Sequence, residues 1–103
     1  MKAYYPDIPK IKYEGPKSDN PLAYKYYNPE EMIAGKAMKD HLRFSAAYWH
    51  TICAAGVDMF GVATADKTFG ETDPMKIAKA KVYAFFEIID KLGIEFFAFH
   101  DRD

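Results

Sequence analysis

Two residues near the end of the chain have the types and spacing of an acid–base pair. His100 and Asp103 stand at i and i+3, after the apolar run Ile94-Glu95-Phe96-Phe97-Ala98-Phe99. Where a chain turns after a strand, an acid so placed can reach back to a ring nitrogen of the His. That bond fixes the tautomer and raises the basicity of the ring, as a general base requires. H-x-x-D is a weak motif, and by spacing alone a surface His among ordinary loop charges is the commoner outcome. Trp49, between Tyr48 and His50, can wall a pocket against the apolar face of a sugar or a base, or can simply pack in a core. Phe60, in Asp58-Met59-Phe60-Gly61, can plug a neighbouring site, including one on another subunit, or can anchor its own loop. His41 and His50 match no zinc spacing and read as structural. Asp101 alone is not a metal site, and Asp101-Arg102-Asp103 reads more simply as a solvated or salt-bridged turn. Lys76, Lys79 and Lys81 read as a solvated helix face.

The elements that must position these residues are legible in part. An apolar run of about 4–8 residues after a Gly predicts a strand buried on both faces, the kind found in parallel sheets. Parallel α/β sheets carry their chemistry at the strands' carboxyl ends, which is where His100 and Asp103 fall. Before the run, Asp73-Pro74 to Leu92 predicts a helix. Asp73 is its N-cap, Pro74 its first residue and Gly93 its left-handed terminator. Ala78, Val82, Phe85, Ile89 and Leu92 give it one apolar stripe. Asn28-Pro29-Glu30-Glu31 predicts a second helix reaching about His41, with Gly35 as a modest weakness. Leu42 to Cys53 is ambiguous between strand and helix. Residues 54–72 predict a long loop, and loops beyond about 12–15 residues are usually functional or disordered. Residues 1–28, rich in Tyr and Pro, read as an ordered arm lying over something larger, with Ile11-Lys12-Tyr13 as a short strand.

Composition narrows the classes. The 103 residues are half hydrophobic and 17% aromatic, enough to build a core. A net charge of −1 offers no basic excess for nucleic acid and no polybasic run for a membrane surface. One cysteine, Cys53, excludes an internal disulfide framework and a cysteine zinc cage. The N-terminus has no apolar signal-peptide core, and no stretch approaches the roughly 18 apolar residues of a membrane span. The expectation is a cytoplasmic protein without nucleic-acid or membrane partners. One or two parallel strands cannot close a sheet, and a (β/α)8 barrel typically takes about 250 residues. We therefore expect the N-terminal part of a longer domain, exposing a strand edge and one face of each helix.

The motifs in order resemble the N-terminal quarter of xylose isomerases, particularly the longer class with an N-terminal extension. They are Tyr13-Glu14-Gly15-Pro16, Asn20-Pro21-Leu22-Ala23, Tyr27-Asn28-Pro29-Glu30-Glu31, His41-Leu42-Arg43-Phe44, Tyr48-Trp49-His50-Thr51, Asp58-Met59-Phe60-Gly61, Thr72-Asp73-Pro74 and Phe99-His100-Asp101-Arg102-Asp103. The resemblance implies an α/β fold, the first one or two strands and helices of a (β/α)8 TIM barrel. Residues 1–28 would be an extended arm and 29–103 the first β/α units of a single domain. It implies a homotetramer that interconverts D-xylose with D-xylulose and D-glucose with D-fructose, using two divalent ions (Mg²⁺, Mn²⁺ or Co²⁺). By the same resemblance His100 is catalytic and assists ring opening, and Asp103 orients it. Trp49 forms an apolar wall of the sugar pocket, and Phe60 enters the site of an adjacent subunit.

The family's metal ligands and substrate-contacting Lys lie on later strands, so these 103 residues are expected to be inactive alone. Two other readings stand beside this one: a catalytically silent interaction fragment, and a different metal-dependent sugar isomerase or epimerase on a similar barrel.

Overall fold

The long helix α2, Pro74–Leu92, organises the molecule. A computed structural model describes residues 3–54, 56 and 65–99. Both ends of α2 follow from its sequence. The Asp73 carboxylate accepts the Lys76 N–H at 3.1 Å, satisfying a donor that the first turn leaves free. Gly93 takes φ 75°, its N–H reaching Asp90 O while Ile94 N–H reaches Ile89 O. That pair of bonds is a Schellman motif, and it turns the chain directly into the next strand.

Strands β3 (Ser45–Ala47) and β4 (Phe96–Ala98) flank α2 in sequence and pair in parallel, with Ser45 opposite Phe96 and Ala47 opposite Ala98. This is a β–α–β unit, and it settles the ambiguous stretch 42–53 as a short strand followed by a turn. One face of the strand pair lies on α2, where Ala46, Tyr48 and Ile52 join Ala84, Phe85 and Ile89 in the core. The helix buries Ala80, Ala84, Phe85 and Ile89 rather than the whole expected stripe; Ala78 and Val82 stay exposed. The helix is apolar on more than one side, and the position of the sheet selects which side is buried.

β4 is not buried on both faces. Phe96, Phe97 and Phe99 remain 44%, 48% and 46% exposed, because among the described residues β4 has one partner strand and its second face is bare. The expected open apolar strand is therefore present. The radius of gyration, 16.4 Å, exceeds the roughly 13 Å of a closed domain of this length.

The helix expected over 29–41 is a correction. Strands β1 (Met32–Ile33) and β2 (Lys36–Ala37) form an antiparallel hairpin, followed by the single-turn helix α1 (Met38–His41). The deciding pair is Ala34-Gly35, at φ 51° and 85°. Two consecutive positive φ values make the tight turn that matches strand twist, and Gly35 supplies one of them without strain. Asn28 caps no helix; its Oδ1 accepts the Glu30 N–H at 3.3 Å in a local turn. A nitrogen of His41, Nε2, lies 2.6 Å from Ile33 O and ties α1 back to the hairpin.

The described part of the arm lies along the C-terminal half of α2. Ile11 N–H donates to Lys91 O and the Tyr24 hydroxyl to Leu92 O at 2.6 Å. The expected strand at 11–13 reduces to a single parallel bridge between Tyr13 and Tyr24.

Candidate functional site

Parallel strands in register end at the same level, so whatever follows β3 and β4 emerges side by side. The pairing runs one residue past β3, with Tyr48 N–H donating to Ala98 O at 2.9 Å. Tyr48 is 4% exposed, its ring edge-on to Phe85 at 5.1 Å and tilted against Phe99 at 4.8 Å. The next residue, Trp49, is 52% exposed. A buried aromatic followed by an exposed one is the division a strand end produces. The turn after Trp49 is drawn tight. The Thr51 hydroxyl donates to Ala47 O at 2.8 Å, and Thr51 and Cys53 both turn their N–H groups back to Tyr48 O.

At the neighbouring end, Phe99 also meets Phe85, Phe86 and Phe97, so the last described residue of the chain rests on the same core as Tyr48. His100 and Asp103 follow it in sequence and lie outside the described residues, as does Phe60. Of the four candidate site residues, the structure therefore places Trp49, at the carboxyl end of β3 and beside that of β4. An apolar groove of about 390 Å³ runs between Tyr48, Cys53, Phe99 and the first half of α2, with Lys81 as its single charged lining residue.

Among the described residues no three His, Cys, Asp or Glu side chains converge on one point. Two of the carboxylates are engaged by near neighbours: Glu14 accepts from Ser18 and Asn20, and Asp66 from Thr68 N–H. Hydrogen bonds from Asn20 and Ser18 hold the Glu14 carboxyl below its usual range, and bonds from Thr68 do the same for Asp66. Neither is left over for a cation.

No family model matches the chain. Sequence comparison finds relatives named xylose isomerase. The one from Thermoanaerobacterium thermosaccharolyticum is 60% identical over 104 residues, covering 100% of this chain and 24% of the relative. The one from Caldicellulosiruptor bescii is 56% identical over 97% of this chain and 23% of its own length. The Thermotoga neapolitana protein is 55% identical over 100% of this chain and 23% of its own length. The chain is homologous to the xylose isomerases over its whole length. It spans about a quarter of the curated relatives it matches, and the matched quarter is the N-terminal one.

The motif stretches serve different parts of the fold. Tyr48-Trp49-His50-Thr51 is the tightened turn that closes β3. Tyr13-Glu14-Gly15-Pro16 and Asn20-Pro21 instead build the arm, where Glu14 bridges the two. Sequence reasoning assigned nothing to residues 64–69, yet Lys67 donates to Thr51 O at 3.3 Å and Phe69 meets the rings of Tyr4 and Tyr5 edge-on. It also left Glu87 as one more polar helix position. In the structure Glu87 accepts two backbone N–H groups of the arm, which hold its carboxyl below the usual range; the bond from Tyr4 contributes most. The only sequence signal for that contact was the pair Tyr4-Tyr5, two large rings in need of a surface.

Proposed function

We propose that this chain is the N-terminal part of a xylose isomerase, the first β/α units of a (β/α)8 barrel preceded by an arm over residues 1–28. The full-length protein would interconvert D-xylose and D-xylulose, and D-glucose and D-fructose, as a cytoplasmic homotetramer. The observation that carries the reading is the parallel, in-register β3–β4 pair, with Trp49 at its carboxyl end and the chain leading into His100 beside it. Catalytic groups in parallel barrels come from that end of the strands.

The roles follow from chemistry. A cyclic sugar opens when its anomeric hydroxyl loses a proton and its ring oxygen gains one as the C1–O5 bond breaks. A neutral His, with one ring N–H donated to the Asp103 carboxylate, offers its other nitrogen to move that proton. Asp103 thus acts through His100. Trp49 would lie against the apolar face of the sugar, and Phe60 would complete the pocket of the adjacent subunit. Xylose isomerase chemistry implies divalent metal ions, two of them by the resemblance above. By the same resemblance their ligands lie on later strands, so the roles proposed for this segment are sugar positioning and ring opening. By the same token, the 103 residues alone should not turn over sugar.

The test is the full-length protein with His100→Ala, assayed on cyclic D-xylose. Loss of a positioned acid–base group costs about 10²–10⁴ in rate. Turnover within a few-fold of the unaltered protein would sink the ring-opening role. Absence of any D-xylose to D-xylulose conversion by the unaltered full-length protein would sink the functional reading itself.

A further inference from the structure

The turn that follows β3 is fastened through one residue. Thr51 uses its hydroxyl, its N–H and its carbonyl together. The hydroxyl donates to Ala47 O, the last carbonyl of β3, at 2.8 Å and reaches Tyr48 O at 3.3 Å. The N–H donates to Tyr48 O at 3.3 Å. The carbonyl accepts the Ala54 N–H at 3.2 Å and the Lys67 ammonium at 3.3 Å. Tyr48 O belongs to the peptide that joins Tyr48 to Trp49, and it also accepts the Cys53 N–H at 3.4 Å. Tyr48 itself is held on β4 through Ala98 O and buried against Phe85. The residue before Trp49 is thus fixed by the sheet and the core, and the peptide leading into Trp49 is fixed by Thr51. The rotamers open to a side chain depend on its backbone angles, so the fastened turn restricts where the indole points.

The second tether comes from a stretch that is itself ordered. Around Lys67, Asp66 accepts the Thr68 N–H at 2.9 Å, and Glu71 N–H donates to Thr68 O at 3.1 Å. Phe69 meets the rings of Tyr4 and Tyr5. Phe69 and Cys53 both pack on the core cluster that contains Tyr48 and Ile52. The Trp49 turn is therefore held from β3 on one side and from residues 66–71 on the other. Thr51 is exposed, so it contributes directed bonds rather than core packing.

We propose that Thr51 is a positioning residue: it fixes the turn on which Trp49 stands, and so sets how the indole faces the sugar. The proposal deepens the reading of Trp49 as an apolar wall of the sugar pocket and rests on it. Thr51 acts through Trp49 rather than on the sugar.

The experiment compares Thr51→Val, Thr51→Ser, Trp49→Ala and the double variant Thr51→Val with Trp49→Ala, all in the full-length protein. Valine keeps the shape of threonine and removes the hydroxyl; serine keeps the hydroxyl. Two readouts are taken, amide hydrogen exchange by peptide and the separate kcat and KM for D-xylose. Thr51→Val should speed exchange across residues 49–54 about fivefold after correction for intrinsic rates, leaving mid-α2 peptides unchanged. It should raise KM about fivefold with little change in kcat, the mark of lost binding rather than lost chemistry. Thr51→Ser should return both readouts to those of the unaltered protein. Because Thr51 works through Trp49, the double variant should be no worse than Trp49→Ala alone. Unchanged exchange in 49–54, no rescue by serine, or additive KM effects overturns the proposal. A raised KM in Trp49→Ala beside an unchanged one in Thr51→Val sinks the proposal and leaves the sugar wall standing. An unchanged KM in Trp49→Ala removes the sugar wall itself, and the proposal falls with it.

Discussion

The two flanks of α2 are held by different forces. Beneath the arm, the fastenings are directed polar bonds: Glu87 to two backbone N–H groups, Lys91 to a carbonyl, Leu92 O to the Tyr24 hydroxyl. Against β3 and β4, the contact is made of rings, with Phe85 fully buried among Tyr48, Phe97 and Phe99. The polar flank finds its partners within this segment. Among the described residues the aromatic flank is less covered: β4 keeps nearly half the surface of each of its phenylalanines open, and Tyr83 and Phe86 on the helix are exposed too. Hydrogen bonds saturate once each donor has its acceptor, whereas apolar surface continues to favour burial in proportion to its area.

The largest effect should come from breaking the aromatic flank at its centre. Phe85→Ala removes the one large side chain that is fully buried among the described residues, and truncations of that kind cost about 3–5 kcal/mol. In the full-length protein this should appear as a fall in the denaturation midpoint with an unchanged denaturant slope. Phe97→Ala, at a ring that is half exposed here, should match it only if further chain covers β4. Comparing the two losses therefore measures how far the rest of the protein completes this face.

Acid should act on the other flank alone. The Glu87 carboxyl lies below its usual range, mainly because of the Tyr4 N–H, with the Tyr5 N–H and Lys91 adding to it. A depressed acid contributes stability that is complete above its unfolded value and is lost as pH falls through the lower folded value. Of the groups in that contact, Glu87 is the one whose carboxyl is depressed, so it is the group that changes in that window. Cleavage of the arm by an acid-active protease should accelerate as pH drops below the ordinary Glu range. In Glu87→Gln the cleavage should already be fast at pH 6 and should show no such step. A step of equal size in both proteins would assign the release to another group.

How much of this could be read from the chain is clearest where two similar signals parted. Asp73-Pro74 and Asn28-Pro29 both look like helix starts, and both are followed by apolar residues at workable spacing. From Pro74 to Leu92, nineteen residues pass before the first Gly, and the helix runs until Gly93 stops it. After Pro29 the chain meets Ala34-Gly35 within two turns of helix. The tight turn there competes with helix propagation and wins, because a short helix with an interior Gly has little to stabilise it. A two-residue hairpin turn was the overlooked alternative. Strand β4 was legible as a strand from its apolar run, and its parallel partner β3 was not, since Ser45-Ala46-Ala47 carries little strand preference of its own and is placed by pairing with β4. At the site, Trp49 stood out by type, while its setting depended on the backbone bonds of Thr51, which no spacing rule encodes. The Glu87 contact with the arm was illegible for a related reason. Its partners are backbone N–H groups 82 and 83 residues away, and backbone donors leave no mark in a sequence.

The smallest effect tests the last bond of the polar flank. Tyr24 donates its hydroxyl to Leu92 O, one of the carbonyls that the end of α2 leaves without an intrahelical partner. Tyr24→Phe keeps the ring against Tyr27 and removes that bond, at a cost of about 1 kcal/mol. The phenol also titrates above its ordinary value, first because burial disfavours the phenolate and then because Tyr27 lies beside it. An acid whose folded value is raised contributes stability below the unfolded value and loses it as pH rises through the folded one. The arm should therefore loosen on the alkaline side beyond the ordinary tyrosine range, read as faster exchange at the Ile11 and Tyr24 amides. Tyr24→Phe should shrink that alkaline loss without abolishing it, because Tyr5, raised by its own burial and by Glu87, sits on the same flank. If the alkaline loosening is identical in the two proteins, Tyr5 governs it alone, and the Tyr24 bond adds packing to the flank but no pH dependence.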